Sequence, residues 1–301
     1  MNRILDLSER PAQVHLDTGA LKLDWEDGTS ARVPIQDLAA VVSSHPSGSF
    51  SHRSLAALST MGIPVVLCDE KRLPCGMLIP LTGNFAQAER QVKQAEAPLP
   101  KKKRAWQSIV RAKIRAQVAT LERLGRPEPG LAGLITQVRS GDPDNIEAQA
   151  ARRYWIRIFG DESFRRVREA EDLNRHLNYG YAVLRAIVAR AICAAGLHPT
   201  LGVHHHNRYD SLALVSDLME PFRPVVDEIA ARIGTRDGMR VSLTRAHKAE
   251  LLSVLTGYFQ ADDERRTLFD WSTRMADSLV KVYAQEAEDI VIPDIVAPYQ
   301  T

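Results

Sequence analysis

Apolar residues change their spacing once along this chain, and that change restricts the folds open to it. Up to about residue 80 they come in short runs with a period near two. Ile4-Leu5-Asp6-Leu7, Gln13-Val14-His15-Leu16 and Ala20-Leu21-Lys22-Leu23-Asp24-Trp25 are strand candidates, and the turn Glu26-Asp27-Gly28 leads into Ala31-Arg32-Val33-Pro34-Ile35. Successive side chains leave opposite faces of a sheet, so alternation marks a half-buried strand. Leu38-Ala39-Ala40-Val41-Val42 and Pro64-Val65-Val66-Leu67-Cys68-Asp69 are apolar almost throughout and predict buried strands. Ser51 is placed to cap a short helix through Ser59. This part has no Gly-rich phosphate loop and no paired acids, which suits a scaffold or dimerisation domain.

Beyond about residue 100 the period is 3.6. Trp106, Val110, Ile114, Val118 and Leu121 recur every three or four residues in a helix opened by Lys101-Lys102-Lys103-Arg104 and ended by Gly125. Asp142 is a good N-cap and Pro143 suits a first turn, so a second helix should run through Trp155 to Gly160. Glu147, Ala151 and Tyr154 share one of its faces, and Ile146, Ala150 and Ile158 another. A long helix over Asp172 to Ala195 carries Leu173, Leu177, Leu184, Val188 and Ala191. Gly180 inside it costs about 1 kcal/mol relative to alanine, which implies close helix packing; core packing also accounts for Asn178, Tyr179 and Tyr181 around it. Two further helices are expected at about Arg245–Phe259 and Asp263–Gln285. The polar, alanine-rich stretch 81–100 reads as a connector. The expected class is α+β: a β-rich, β-sandwich-like domain over 1–80, then a larger all-helical domain over 101–301.

Net charge is only +2, so any polyanion site must come from local segregation of charge. Residues 101–126 hold nine basic side chains and one acid, Glu122. A solvated face and a phosphate-binding surface are equally good accounts of that run. From residue 284 onward there are four acids, Glu286, Glu288, Asp289 and Asp294, and no Lys or Arg, which predicts an irregular, solvated tail without chemistry. Three widely spaced cysteines, Cys68, Cys75 and Cys193, suggest a reducing cytoplasm and no disulfide framework. No apolar run approaches the length of a membrane span, and Asp6 and Glu9 interrupt any signal-like segment.

The chemistry concentrates in Gly202-Val203-His204-His205-His206-Asn207 and Asp217-Leu218-Met219-Glu220-Pro221-Phe222-Arg223-Pro224. Asp217 and Glu220, at i and i+3, would lie on adjacent turns of one helical face. Leu214, Leu218, Phe222, Val225 and Ile229 form a separate apolar stripe, so the acids flank it. Pro221, with Pro224 one turn later, means that the helix starts late or bends there. Imidazole beside carboxylate suits a divalent ion: the oxygens favour Mg²⁺ or Mn²⁺ and the imidazole tilts toward Mn²⁺. A His-rich loop beside a solvated helix face is the alternative.

Taken in order, Glu147-Ala-Gln-Ala-Ala151-Arg152-Arg153-Tyr154-Trp155, Leu177-Asn178-Tyr179-Gly180-Tyr181, the Gly202–Asn207 run and the Asp217–Pro224 run resemble the CRISPR-associated adaptation integrase, the first member of the Cas series, in its type II-like branch. The resemblance covers residues 140 to 230. It implies a cytoplasmic, metal-dependent integrase and endonuclease that inserts short duplex DNA into a repeat array. The reaction is a transesterification by the 3′-OH of the incoming DNA. It further implies a homodimer that works with a small companion, the second member of the series. The family motif carries metal ligands onto Glu147, His205 and Glu220, with Asp217 as a supporting acid and His204 and His206 as neighbours. Leu197-His198-Pro199 departs from it, with a histidine where an acid is common. Phosphates would be held by Lys101, Lys102, Lys103 and Arg104, with Arg152, Arg153, Arg165, Arg166 and Arg223 as weaker candidates. Two other classes compete: a stand-alone metal-dependent nuclease on branched DNA, and a non-catalytic DNA-binding subunit whose histidines are structural.

Overall fold

The computed structural model describes residues 3–70, 73–161, 163–167, 169–205, 210–261, 263–294 and 297–298; His206 and Asn207 of the histidine run lie outside them. The N-terminal part contains β1 (Arg3–Leu7), β2 (Ala12–Asp17), β3 (Ala20–Trp25), β4 (Ser30–Pro34), β5 (Leu38–Ser43), β6 (Ser49–Phe50), α1 (His52–Thr60), β7 (Val65–Cys68) and β8 (Pro74–Leu78). They form two four-stranded sheets, ordered β4-β3-β2-β6 and β1-β5-β7-β8. β2 turns into β3 through Thr18 and Gly19, both with positive φ, as a two-residue hairpin loop requires. Ser51 caps α1 by accepting the Ser54 N–H.

The two apolar runs are explained by position. β5 and β7 are the central strands of their sheet and pair in parallel. Val41 and Val65 face the core shared with the other sheet and α1. Val42 and Val66 face the helical part. These four valines are buried because both faces are covered, worth about 1.5–3 kcal/mol per valine, whereas Leu67 near the end of β7 is exposed.

The rest of the chain is built from α2 (Gln87–Ala95), α3 (Leu99–Arg123), α4 (Ile146–Ile158), α5 (Leu173–Ala194), α6 (Ala213–Leu218), α7 (Arg223–Asp237), α8 (Arg245–Leu255), β9 (Tyr258–Ala261), β10 (Glu264–Thr267), α9 (Leu268–Tyr283) and β11 (Ala297–Pro298). α5 is the hub and packs against α7, α8 and α9. A Cβ on Gly180 would stand 2.4 Å from Val226 Cγ1, so α5 and α7 approach more closely there than any other residue would allow. α5 also ties the parts together: Tyr179 donates to Asp6 at 2.6 Å and Arg190 to the Leu38 carbonyl at 3.0 Å. No helix among the described residues is long and apolar enough to cross a membrane.

Several elements differ from expectation. The stretch read as a connector holds α2, whose side chains clamp the following chain: Gln94 accepts the His198 N–H and donates to the His198 and Leu201 carbonyls. Gln94 thereby fixes the backbone at His198, whose exposed imidazole accepts the Thr200 N–H at 3.3 Å. The two C-terminal helices are separated by the hairpin β9–β10, joined by β11. Leu251, Leu255 and Phe259 keep a spacing of four and so imitate one helix, but Thr267 and Asp270 form the capping box that starts α9 only at Leu268. The second helix is capped by Asn145, not Asp142. The Asn145 N–H bonds the Asp142 carbonyl in a turn with Pro143 at its second position, which delays the helix by one turn.

Candidate active site

Glu147 stands in the first turn of α4, where two side chains saturate the free amides. Asp142 accepts the N–H of Ile146 and of Glu147 at 2.9 Å each, and Asn145 accepts that of Ala148. The first turn is therefore rigid, and Glu147 meets Lys113 of α3. Glu220 reaches the same lysine, its Oε2 lying 2.6 Å from Nζ. Lys113 is therefore a cation shared by two carboxylates from separate elements.

Glu220 owes its position to proline. Pro221 and Pro224 cannot donate to a helix ladder, so α6 stops at Leu218, a single 3-10 turn spans Glu220–Phe222, and α7 starts afresh at Arg223. Asp217 and Glu220 thus do not project from one continuous helix, as their spacing suggested. Glu220 Oε1 accepts from Arg223 Nε at 2.8 Å. Its Oε2 is buried and, although beside Lys113, forms no well-directed hydrogen bond. Burial would raise the Glu220 carboxyl, but Arg223 and Lys113 outweigh it and hold the group down at about 2. Burial also opposes the charge on Lys113, yet the facing Glu220 and Glu147 keep its ammonium above the ordinary lysine value.

Asp217 turns the other way, with its carboxylate fully buried. It accepts the backbone N–H groups of Val203 at 2.6 Å, His204 at 2.9 Å and His205 at 3.4 Å, and bonds Nδ1 of His205. The loop is thus wrapped on one carboxylate. A Cβ on Gly202 would lie 2.6 Å from the His205 carbonyl oxygen and 3.0 Å from Asp217 Oδ2, so only glycine fits the start of this wrap. His204 stacks on Trp106 of α3 with ring centroids 4.3 Å apart, and His205 meets the same indole edge-on at 5.4 Å. The hydrogen bond to Asp217 holds the His205 imidazole above its ordinary value against the pull of burial, and Glu220 and Glu147 add to the rise.

Glu147 and Glu220 line a recess of about 220 Å³ with Lys113, Gln117, Tyr181, Arg223 and Asp227. Asp227 forms its floor and accepts from Tyr154 at 3.0 Å and from Tyr181. Burial pushes the Asp227 carboxyl up to about 6, tempered by those hydroxyls and by Arg223. The recess opens into a larger cleft with which it shares Arg166, Tyr181 and Arg223, and to which Arg185 also contributes. Among the described residues no three His, Cys, Asp or Glu side chains stand as a preformed metal cluster. The two acids are gathered on Lys113, and His205 is oriented by Asp217.

The basic candidates divide. Arg166 donates to Asn174 at 2.8 Å and to Asn178 at 2.7 Å beside the recess, and Arg223 is committed to Glu220. Arg165 bonds the Phe164 carbonyl. Arg152 and Arg153 are exposed on α4, the latter near Glu128. The run on α3 is largely engaged within the chain. The acidic tail lies along it: Lys101 and Arg104 pair with Glu288, Ser108 donates to Asp289 at 2.6 Å, and Arg115 pairs with Asp294 at 2.7 Å. Arg111 bonds the Val138 carbonyl and Arg123 pairs with Glu228. A tail expected to be solvated is thus an ionic strap, because α3 is the basic surface beside its path.

Lys113 belongs to the basic run of α3 but not to its surface. The signal for its role is present in the helical period: Trp106, Val110, Lys113, Gln117 and Leu121 fall on one stripe, and all five are buried. A lysine and a glutamine inside such a stripe need a polar partner there.

The family model for CRISPR associated protein Cas1 matches residues 5–249. A "CRISPR-associated endonuclease Cas1" of Neisseria meningitidis serogroup C is 33% identical over 279 residues, covering 90% of this chain and 89% of its own length. One from Pyrobaculum aerophilum is 28% identical, covering 83% and 89%. Among solved structures, a casposase bound to integration product superposes with a TM-score of 0.81 at 17% identity, covering 99% of this chain and 94% of that one. A Cas1 protein from Thermotoga maritima superposes with a TM-score of 0.64 at 18% identity, covering 95% and 96%. The family match spans both the strand-rich part and every element that builds the recess, and the chain belongs to the Cas1 family of CRISPR-associated proteins.

Proposed function

We propose that this chain is a metal-dependent DNA integrase and endonuclease of CRISPR adaptation, which joins the 3′-OH of short duplex DNA to a repeat array by transesterification. The observation that carries this reading is the pairing of half-buried Glu147 with buried Glu220 on Lys113 beside an arginine-lined cleft, with His205 oriented by Asp217. The names of the relatives agree with it. They include endonucleases, a casposase with its integration product, a Cas6-RT-Cas1–Cas2 complex and a TtCas1-DNA complex.

The donor set fits Mg²⁺ or Mn²⁺. Two carboxylates and an imidazole are available; Glu220 Oε2 lies against Lys113 without a well-directed hydrogen bond, and Gln117 Oε1 is buried with none. Asp217 on Nδ1 leaves Nε2 as the His205 donor, the arrangement that fixes a ligating imidazole. A divalent ion held there would offset phosphate charge and lower the pKa of an attacking hydroxyl. Arg166 and Arg223 would hold phosphate oxygens at the cleft, a contact that carries no sequence information directly. Asp227, Tyr154 and Tyr181 keep the floor of the recess rigid. The chain acts as a homodimer through its β-rich domains, together with the small companion protein.

The test is strand transfer of a short duplex into a repeat-bearing plasmid by the purified chain with its companion. Integration that stops in EDTA and returns with Mn²⁺, from a protein that light scattering reports as a dimer, is the expected result. Integration that continues in EDTA would remove the metal from the reading, and cleavage without any need for the companion would favour a stand-alone nuclease.

The ionic strap makes a separate prediction. Replacing Glu288, Asp289 and Asp294 with their amides frees Lys101, Arg104 and Arg115 for phosphate. Duplex affinity at low salt should rise several-fold, and log K against log salt should steepen by roughly 0.9 for each additional phosphate neutralised. A slope equal to that of the unaltered chain would show that α3 does not touch DNA.

A further inference from the structure

The recess contains one group that the proposed chemistry does not use. The Lys113 ammonium is buried, meets both Glu147 and Glu220, and occupies the space between two acids that come from different elements. Without it, the buried carboxylate of Glu220 would face the half-buried one of Glu147 with Arg223 as its remaining counter-charge, and that guanidinium is bonded to the far oxygen of Glu220. Charges removed from water need a partner, so a metal-free chain requires a cation at this spot. Lysine suits the task because its charge sits on a flexible four-carbon stem that can be drawn back without moving α3. The site also keeps acceptors in reserve. Glu220 Oε2 has no well-directed hydrogen bond, and Gln117 Oε1, one turn along α3, is buried with none at all. Three ammonium protons point in tetrahedral directions and leave Glu220 Oε2 poorly served, whereas an ion without directional donors would serve both acids equally.

We propose that Lys113 is a surrogate cation, holding the place between Glu147 and Glu220 that a divalent ion takes and withdrawing when the ion enters. This rests on the reading of Glu147 and Glu220 as metal ligands. Two occupants exclude each other, so the lysine weakens the site's affinity for metal while stabilising the metal-free chain. A site of this kind keeps its acids ionised and apart between loadings, and it stays folded when divalent ions are scarce.

The experiment is a Mn²⁺ titration of the metal-free full-length protein, with free Mn²⁺ followed by electron paramagnetic resonance. The proteins compared are the unaltered chain, Lys113→Met, Lys113→Gln and Glu220→Gln. Both Lys113 variants should bind Mn²⁺ about ten-fold more tightly than the unaltered chain, within the range usual for coupled sites. They should melt at lower temperature without metal and recover more of it on adding Mn²⁺. Glu220→Gln should lose affinity. A second measurement needs no substitution: with lysine labelled at Cε, the Lys113 resonance should shift when diamagnetic Mg²⁺ is added. Unchanged or weaker Mn²⁺ binding in folded Lys113 variants, or a Lys113 resonance indifferent to Mg²⁺, overturns the proposal. Absence of any Mn²⁺ binding sensitive to Glu220→Gln overturns the metal reading itself, a separate failure.

Discussion

Alanine at Glu147, at His205 or at Glu220 is expected to lower strand transfer by about 10²-fold or more, the loss typical of removing one preorganised charge-stabilising group. Each residue is held independently. Glu147 is set by the saturated first turn of α4, His205 by the wrap on Asp217, and Glu220 by the break that Pro221 imposes. Duplex binding should remain largely intact in all three, since phosphate neutralisation rests on arginines outside the acid pair. The single-mutant proteins are compared by plasmid integration and by filter binding at one salt concentration. Full integration by a folded His205→Ala protein would remove that imidazole from the site, and His204 would be the next residue to replace.

The second large effect is expected at Asp217, and it is one of stability as well as activity. Its carboxylate is fully buried and is the acceptor for the amides of Val203, His204 and His205. Asp217→Ala leaves the buried Val203 N–H and the part-buried N–H groups of His204 and His205 without their acceptor; a buried unsatisfied group costs about 1–3 kcal/mol, so a loss of about 2 kcal/mol or more is expected. Asp217→Asn should lose less stability, because one amide oxygen can still accept. It should still lose activity, because the amide nitrogen cannot accept from the imidazole and the His205 tautomer is no longer fixed. Thermal unfolding followed by circular dichroism, with strand transfer measured below the transition, separates the two effects. A melting temperature in Asp217→Ala equal to that of the unaltered chain would mean that the loop is held by the Trp106–His204 stack instead.

The parts of the chain differ in how openly they show their structure. Strands β1 to β5 and β7 are legible because their side chains alternate or are apolar throughout, and each pattern follows from which faces are covered. Pro74–Leu78 is not, since a proline, a cysteine and a glycine give no alternation; it is a strand because β7 offers an edge to pair with. The hairpin Tyr258–Thr267 was hidden by an accidental spacing of four. Of the site, the residue types and their order were readable: acids, histidines and the two prolines that interrupt the helix.

Sequence alone determined which local conformations were open: where helices must break, where glycine is needed, where charge accumulates. Those are properties of a residue and its near neighbours in the chain, fixed by sterics and backbone hydrogen bonding. Only the tertiary structure decided which distant groups share a cation and which basic residues remain for a ligand. Glu147 and Glu220 are 73 positions apart and meet on a lysine of the basic run, which composition left open between a solvated face and a phosphate-binding surface. Lys101 and Arg104 are met by a tail 184 or more positions away. Coulomb energy depends on distance in space and on the water excluded between charges, and neither is written in the spacing along a chain.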